Sequence, residues 1–116
     1  MNVTRFDRAP FYFPDHHDGM KCRRLQGHEA GPAQSLWMGL SEIEPGGHTD
    51  LRGSGVEKHY VVLKGRLTVV SQEPGQPEVE TELGYLDSCR IAPGEARQLV
   101  NRSDDVVLVL LAMPFA

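Results

Sequence analysis

The chain has 116 residues, 40% of them hydrophobic, which is enough for one domain with a single core and too few for two. Its net charge of −4 argues against nucleic acid as a partner, because non-specific binding depends on neutralising phosphates with lysine and arginine. No apolar run approaches the roughly 18 residues of a membrane helix, and the N-terminus lacks the pattern of a signal peptide. We therefore expect a cytoplasmic protein with neither nucleic acid nor a membrane as a partner.

The first third of the chain carries short patterns that each allow two interpretations. The aromatic residues 11–13 lie between prolines, and they predict either an edge strand or an apolar arm laid on a partner subunit. His16 and His17 invite a metal interpretation, but adjacent side chains on a strand point to opposite faces, so a solvated turn is favoured. Residues 20–25 predict a short strand. The two cysteines, Cys22 and Cys89, predict free thiols, with a disulfide between them as the alternative.

The rest of the chain alternates between short β-type runs and turns. In residues 35–43, Leu36, Met38 and Leu40 form an apolar face, Trp37 lies on the opposite face, and Pro45-Gly46-Gly47 predicts a turn that ends the strand. Residues 106–111 are all apolar and rich in valine, which favours a buried strand over a helix. Further strands are predicted at residues 60–63, 66–71, 78–83, 88–91 and 97–100. This pattern indicates an all-β sandwich or barrel.

Residues 45–65, PGGHTDLRGSGVEKHYVVLKG, have the spacing of a known motif. They resemble the first motif of the cupin family, G-x5-H-x-H-x3-E-x6-G, with Gly46 and Gly65 on its two glycines. Residues 86–101 resemble the second cupin motif, G-x5-P-x-G-x2-H-x3-N, with Gly94 and Asn101 as anchors. Leu86 and Ala92 depart from that motif, since they replace its first glycine and its proline.

The resemblance covers residues 34–116 and implies a cupin-like jelly roll, or double-stranded β-helix barrel, with its functional site inside. Residues 1–33 would then form an N-terminal arm with short strands. Cupins of this size commonly pair as homodimers whose N-terminal strands cross onto the partner. The resemblance therefore implies a homodimer, although an edge strand within one chain suits residues 11–13 equally.

The four positions where cupins hold a metal carry different residues here. By the motif they are Arg52, Ser54, Lys58 and Arg97. Carboxylates, imidazoles and thiolates are the usual ligands of divalent metals, and three cations would repel the ion, so no cofactor is predicted at these positions. The alternative is a divalent metal held outside the motif frame by His48, Glu57 and His59. Pairing of Glu57 and His59 with other side chains would compete with binding of this metal.

Three functions follow from these residues. The first is a barrel that binds a small organic anion through Arg52, Ser54, Lys58 and Arg97, because a guanidinium matches a carboxylate or phosphate. Tyr60 and His48 are then the candidate catalytic proton carriers. The second is a metal-dependent isomerase, lyase or dioxygenase that uses the site outside the frame. The third is a non-catalytic sensor or accessory barrel. The competing interpretation of the cations is structural: Arg52 points to solvent, and Lys58 and Arg97 pair with Glu57, Asp87 or Glu95.

Overall fold

Ten antiparallel strands form a nearly closed barrel in the computed structural model, which describes residues 1–115. The strands are β1 Phe11–Tyr12, β2 His17–Gln26, β3 Leu36–Thr49, β4 Arg52–Gly53, β5 Lys58–Lys64, β6 Leu67–Gln72, β7 Val79–Leu83, β8 Ser88–Ile91, β9 Ala96–Val100 and β10 Val107–Pro114. Helix in this part of the chain is limited to single 3-10 turns at Phe6–Arg8 and His28–Ala30. The predicted all-β jelly roll is confirmed.

No helix among residues 1–115 is both long and apolar enough to cross a membrane.

The strands follow the order β7-β6-β9-β3-β10-β5-β8, and β3 connects the two halves of the barrel. The first part of β3 pairs with β10, whereas His48 near its end pairs with Val100 of β9. The prediction that a turn at Pro45-Gly46-Gly47 ends this strand is wrong, because the strand bends there and continues to Thr49. Glycine makes the bend possible: Gly46 has a φ of +80°, and a Cβ on Gly47 would lie 2.4 Å from the carbonyl oxygen of Gly19.

The N-terminal residues pack on the barrel of their own chain. β2 is ten residues long and pairs with β3, and β1 pairs with β2 through Phe11 opposite Arg23 and Tyr12 opposite Cys22. Residues 11 and 12 thus form an edge strand within the chain, which was one of their two predicted roles. Pairing with a second chain stays a prediction.

The core lies between the two halves of the barrel and determines which side chains of β5 face inward. Tyr60 and Val62 are almost fully buried, and Lys58 is 7% exposed. Because side chains alternate between the faces of a strand, these three share the inner face, whereas Lys64 at the end of β5 is exposed. The buried cluster consists of Ile43, Tyr60, Val62, Leu67, Val69, Leu83, Ile91, Leu99, Val107 and Val109. The inner face of β5 therefore leads from this apolar core to a buried amine.

The two cysteines are separate free thiols in the structure. Cys22 on β2 is buried and lies 3.5 Å from Ser41 Oγ, whereas Cys89 on β8 is half-buried and stands opposite Tyr60 in the sheet. Burial raises the pKa of both thiols above their ordinary value, which favours the protonated form, the weaker nucleophile, at neutral pH.

Candidate functional site

The four residues at the cupin metal positions line one cavity of about 350 Å³. Arg52 and Arg97 face each other in register on β4 and β9, Ser54 follows β4, and Lys58 begins β5. The cavity is also lined by Asp15, His16, His17 and Gly53. The structure thus brings together the residues that the motif spacing selected, and ligand binding by them stays a prediction.

Lys58 places a buried amine in this cavity. Its Nζ donates a hydrogen bond to Ser54 Oγ at 2.6 Å. Within residues 1–115 it forms no ion pair: the carboxylate of Glu57, one of its expected partners, binds Arg90 and His59 instead. Burial lowers the pKa of Lys58 below its ordinary value, and the nearby charge of Arg97 lowers this pKa further. No carboxylate among residues 1–115 is therefore placed to neutralise this amine when it is protonated.

Arg97 is held by groups that carry no charge. Its Nε donates to Tyr60 Oη at 2.9 Å, and its Nη1 lies 3.4 Å from Thr49 Oγ1 and 3.5 Å from the main-chain oxygen of Asp50. Like Lys58, Arg97 forms no ion pair with a carboxylate in the described part of the chain. The alternative in which these two cations are neutralised by neighbouring acids is wrong for this structure.

The two candidate proton carriers lie in different places. Tyr60 is 2% exposed, and it lies under Arg97 as the acceptor of its Nε hydrogen bond. Burial raises the pKa of Tyr60, against the lowering effect of Arg97, so the phenol is protonated at neutral pH. His48 lies outside the residues that line the cavity, with Nδ1 3.1 Å from the main-chain oxygen of Thr49 and Nε2 3.8 Å from the carboxylate of Asp18. Tyr60 thus positions Arg97, whereas His48 does not lie beside Arg97.

His16 joins two charged groups at the edge of the cavity. Its Nδ1 lies 3.1 Å from the carboxylate of Asp50, and Arg52 donates to its Nε2. A neutral imidazole with the proton on Nδ1 satisfies both contacts, because it donates to the carboxylate and accepts from the guanidinium. The backbone of His16 has a φ of +62°, and its carbonyl oxygen accepts a hydrogen bond from the amide of Asp50. Arg52 is thereby held through an imidazole and not by a direct ion pair.

His17 is a cavity residue that sequence reasoning missed. It begins β2 and pairs in register with Thr49, and its Nδ1 lies 2.7 Å from the main-chain oxygen of Asp15. Burial lowers the pKa of His17, so this imidazole is neutral at pH 7 and donates from Nδ1. The sequence interpretation of a solvated turn is wrong for His17. The only local signal in the sequence was the strand predicted just after His17. The position of His17 in the cavity depends on the pairing of β2 with β3.

A second, more apolar cavity of about 360 Å³ adjoins the first. The two cavities share His17, Lys58 and Arg97. The lining of the second is completed by Tyr12, Phe13, Pro14, Arg24, Trp37, Leu111 and Met113. Lys58 and Arg97 therefore stand at the boundary between a polar and an apolar chamber.

The donor chemistry of the site does not fit a metal ion. Arg52, Lys58 and Arg97 are cations, and an arginine is never deprotonated in proteins. Of the alternative ligands, Glu57 binds His59 at 2.9 Å and Arg90, while His48 lies beside Asp18. Residues 1–115 contain no group of three or more His, Cys, Asp and Glu side chains placed to hold a metal ion.

Comparison with known proteins gives one relative in sequence and many in structure. No family model matches the chain. The chain is 40% identical over 113 residues to a protein named β-D-galactosidase Rv1717 from Mycobacterium tuberculosis, covering 97% of this chain and 93% of that one. The polyketide cyclase RemF from Streptomyces resistomycificus superposes with a TM-score of 0.83 at 20% identity, over 98% of this chain and 79% of the cyclase. A cupin 2 conserved barrel domain protein from Salinispora arenicola gives 0.76 at 20% identity, over 100% and 90% of the two chains.

Proposed function

We propose that this chain, which has the fold of cupin barrel domains, binds a small organic anion in the barrel without the metal that cupins usually hold there. One observation carries the proposal. Lys58 and Arg97 line the same cavities, and neither is ion-paired with a carboxylate within residues 1–115. Two unpaired cations in a partly buried site are costly, and an anionic ligand offsets this cost.

Other arginines of the chain provide the contrast. Four arginines make ion pairs with glutamates, in the pairs Arg24–Glu29, Arg66–Glu82, Arg90–Glu57 and Arg102–Glu80. Arg66, Arg90 and Arg102 are exposed, whereas Arg24 is 15% exposed and lines the apolar cavity, where Glu29 pairs with it. Lys58 and Arg97 have no such partner within residues 1–115, although solvent would screen an ion pair less at these cavity positions than on the surface. This distribution of ion pairs is consistent with a binding site for an external anion at Lys58 and Arg97.

The hydrogen-bonding groups of the two cations favour a carboxylate or a phosphate. Lys58 Nζ has three donors and uses one on Ser54, while Arg97 uses Nε and Nη1 within the protein. The remaining N–H groups are free to reach two oxygen atoms of one ligand. Such charge-assisted contacts contribute about 1.5–3 kcal/mol each.

We expect Arg97→Ala to weaken binding of the anion roughly ten- to a hundredfold, because about 1.4 kcal/mol corresponds to a factor of ten. Thermal-shift screening of dicarboxylates, keto acids and sugar phosphates would identify a ligand, and titration calorimetry would measure its Kd. Arg90→Ala is the matched control, since Arg90 is 55% exposed and already bound to Glu57, and its Kd should stay within twofold of the wild type.

Two results would contradict the proposal: no anion of the panel stabilises the wild-type protein, or Arg97→Ala and Arg90→Ala bind equally well. Because Arg97→Ala removes the hydrogen-bond partner of buried Tyr60, Lys58→Gln serves as a second variant. It removes the charge of Lys58, and its amide still reaches toward Ser54.

A second candidate function is hydrolysis of a β-D-galactoside, which the 40% identity to the mycobacterial protein of that name favours. Glycosidases generally use two carboxyl groups, one as the acid and the other as nucleophile or base. Asp15 is the carboxylic acid among the described residues that line the two cavities, and Asp50 lies at the edge, bound to His16.

This candidate predicts that the purified protein releases nitrophenol from nitrophenyl β-D-galactoside and that Asp15→Asn lowers the rate about a hundredfold or more. Asp18→Asn is the matched control, because the Asp18 side chain is 86% exposed and lies beside His48, outside both cavities. Turnover that Asp15→Asn leaves unchanged, or no turnover by the wild type, would remove hydrolysis and leave anion binding as the function.

A further inference from the structure

We infer that the anion bound at Lys58 and Arg97 carries a six-membered ring, which enters the apolar chamber and is covered by Phe13. The inference rests on the proposed function and adds the shape of the ligand to it. The two chambers have volumes of about 350 and 360 Å³ and share His17, Lys58 and Arg97. Together they reach the size range of sites for small organic molecules, whereas a bare phosphate or acetate would leave the apolar chamber unfilled.

One wall of the apolar chamber is preorganised. Tyr12 and Trp37 meet edge to face, with their ring centroids 5.7 Å apart and their planes at 86°. The guanidinium of Arg24 lies 3.6 Å from the centroid of Tyr12 and 4.5 Å from that of Trp37, which holds both rings in place. A rigid wall costs little conformational entropy when a ligand binds against it.

The remaining wall of the apolar chamber consists of aliphatic side chains, and an aromatic side chain lies at the edge of the chamber. Leu111 and Met113 from β10 complete the apolar wall, whereas Phe13 lies at the edge of the chamber and is 89% exposed. A phenyl ring left almost wholly in water next to an apolar cavity gains free energy when a ligand covers it. Phe13 is therefore the side chain whose burial a ring-bearing ligand would increase most.

The chamber suits either an aromatic ring or a sugar ring, because both present apolar C–H or π surfaces. Arg24 lines the same chamber and is paired with Glu29 at 3.3 Å, so N–H donors are present beside the aromatic wall. Such donors favour the hydroxyl groups of a sugar. The class of ligand is thus a ring that bears a carboxylate or a phosphate.

The test compares ligands that share a head group and differ in the ring. The phosphate series is inorganic phosphate, phenyl phosphate and D-galactose 6-phosphate, and the carboxylate series is acetate, benzoate and D-galacturonate. We expect the wild-type protein to bind a ring-bearing member of one series at least tenfold more tightly than its ring-free member. The phenyl and galactose members separate an aromatic ligand from a sugar ligand.

Phe13→Ala provides the readout that a purely electrostatic site would not show. It should reduce the advantage of the ring-bearing ligand about three- to tenfold and leave the Kd of the ring-free anion unchanged. Tyr85→Ala is the matched control, because Tyr85 is also an exposed aromatic residue, at 72%, and lies outside both chambers. Since Phe13 is 89% exposed, its removal should leave the melting temperature unchanged.

The inference would be overturned if ring-bearing ligands bound no more tightly than ring-free ones, or if Phe13→Ala weakened both kinds equally. In either case the proposed function would still stand if the wild-type protein bound phosphate or acetate measurably and Arg97→Ala did not. Failure of every member of both series to bind would overturn the inference and the proposed function together.

Discussion

Replacing Asn101 with alanine is expected to lower the free energy of unfolding by about 3 kcal/mol, because four hydrogen bonds of a fully buried side chain are lost. Its Nδ2 donates to the main-chain oxygens of Ile43 and Asp105 at 2.9 and 2.7 Å. Its Oδ1 accepts from the amide and the hydroxyl of Ser103 at 3.0 and 2.7 Å. Alanine would remove all four of these hydrogen bonds, and only the contact between Ser103 Oγ and the main-chain oxygen of Asp105 at 3.1 Å would remain among these partners.

Asn2→Ala is the matched control for this variant. The amide of Asn2 also donates two hydrogen bonds, to Gln26 and to Ala30, but at exposed positions. Its loss should therefore cost less than about 0.5 kcal/mol. Urea unfolding followed by circular dichroism would measure both variants, and equal midpoints for the two would contradict the assigned role of Asn101.

The backbone of Asn101 explains why this position matters to the fold as well. Its carbonyl oxygen accepts from the amide of Gly46 at 2.8 Å, and its amide donates to Gly47 at 3.0 Å. Asn101 thus fastens the end of β9 to the bend of β3, the strand that connects the two halves of the barrel. This bend carries β3 toward β9 and so toward Arg97.

Replacing Lys58 with methionine is expected to change stability and binding in opposite directions. Methionine has nearly the same length and no charge, so the ligand-free protein should gain about 1 kcal/mol or more in free energy of unfolding. The same variant should bind the anion at least tenfold more weakly, because the charge-assisted contact is lost. Lys64→Met on the same strand is the matched control, and since Lys64 is exposed, it should change neither quantity.

The pKa of Lys58 predicts how this stability difference depends on pH. Because burial lowers the pKa in the folded state, the unfolded chain binds more protons between that pKa and the ordinary value of 10.5. The penalty of the buried charge is therefore fully present below the folded-state pKa and decreases as the pH rises from that pKa to 10.5. The advantage of Lys58→Met over the wild type should be constant in the acidic range and shrink at alkaline pH.

Urea unfolding of both proteins over a range of pH would check this prediction, with the anion absent. A stability difference that stays constant up to pH 10.5, or a wild type that is more stable than Lys58→Met, would show that the charge of Lys58 carries no penalty. Lys58 would then be satisfied by groups of the protein, and the main support for an anion site would be lost.

Local patterns allowed most of the strands to be predicted. Residues 88–91 form β8 as expected, and the apolar run at 106–111 lies largely within β10, Val107–Pro114. The turn at Lys64 and Gly65 separates β5 from β6, and Gly65 has a φ of +84°. These features depend on the alternation of side chains and on the turn preference of glycine, which act over a few residues.

The faces of β3 could not be assigned in the same way. Leu36 belongs to the apparent apolar face of the strand and is 43% exposed, whereas Trp37 on the opposite face is 8% exposed. Alternation shows which side chains share a face, but it does not show which elements cover that face. Tyr12, Arg24 and His28 enclose Trp37, and all three precede it by nine residues or more.

Residue types and their spacing were enough to predict the all-β class, the motif frame and the absence of metal-binding side chains at residues 52, 54, 58 and 97. The packing of the strands was needed to see that Lys58 and Arg97 have no acidic partner within the described residues, that His17 joins them, and that Tyr12 and Phe13 line an adjoining chamber. These residues lie up to 85 positions apart, and their approach depends on the register between β2, β3, β5 and β9, which loop closure and packing select. Local sequence patterns do not contain that register.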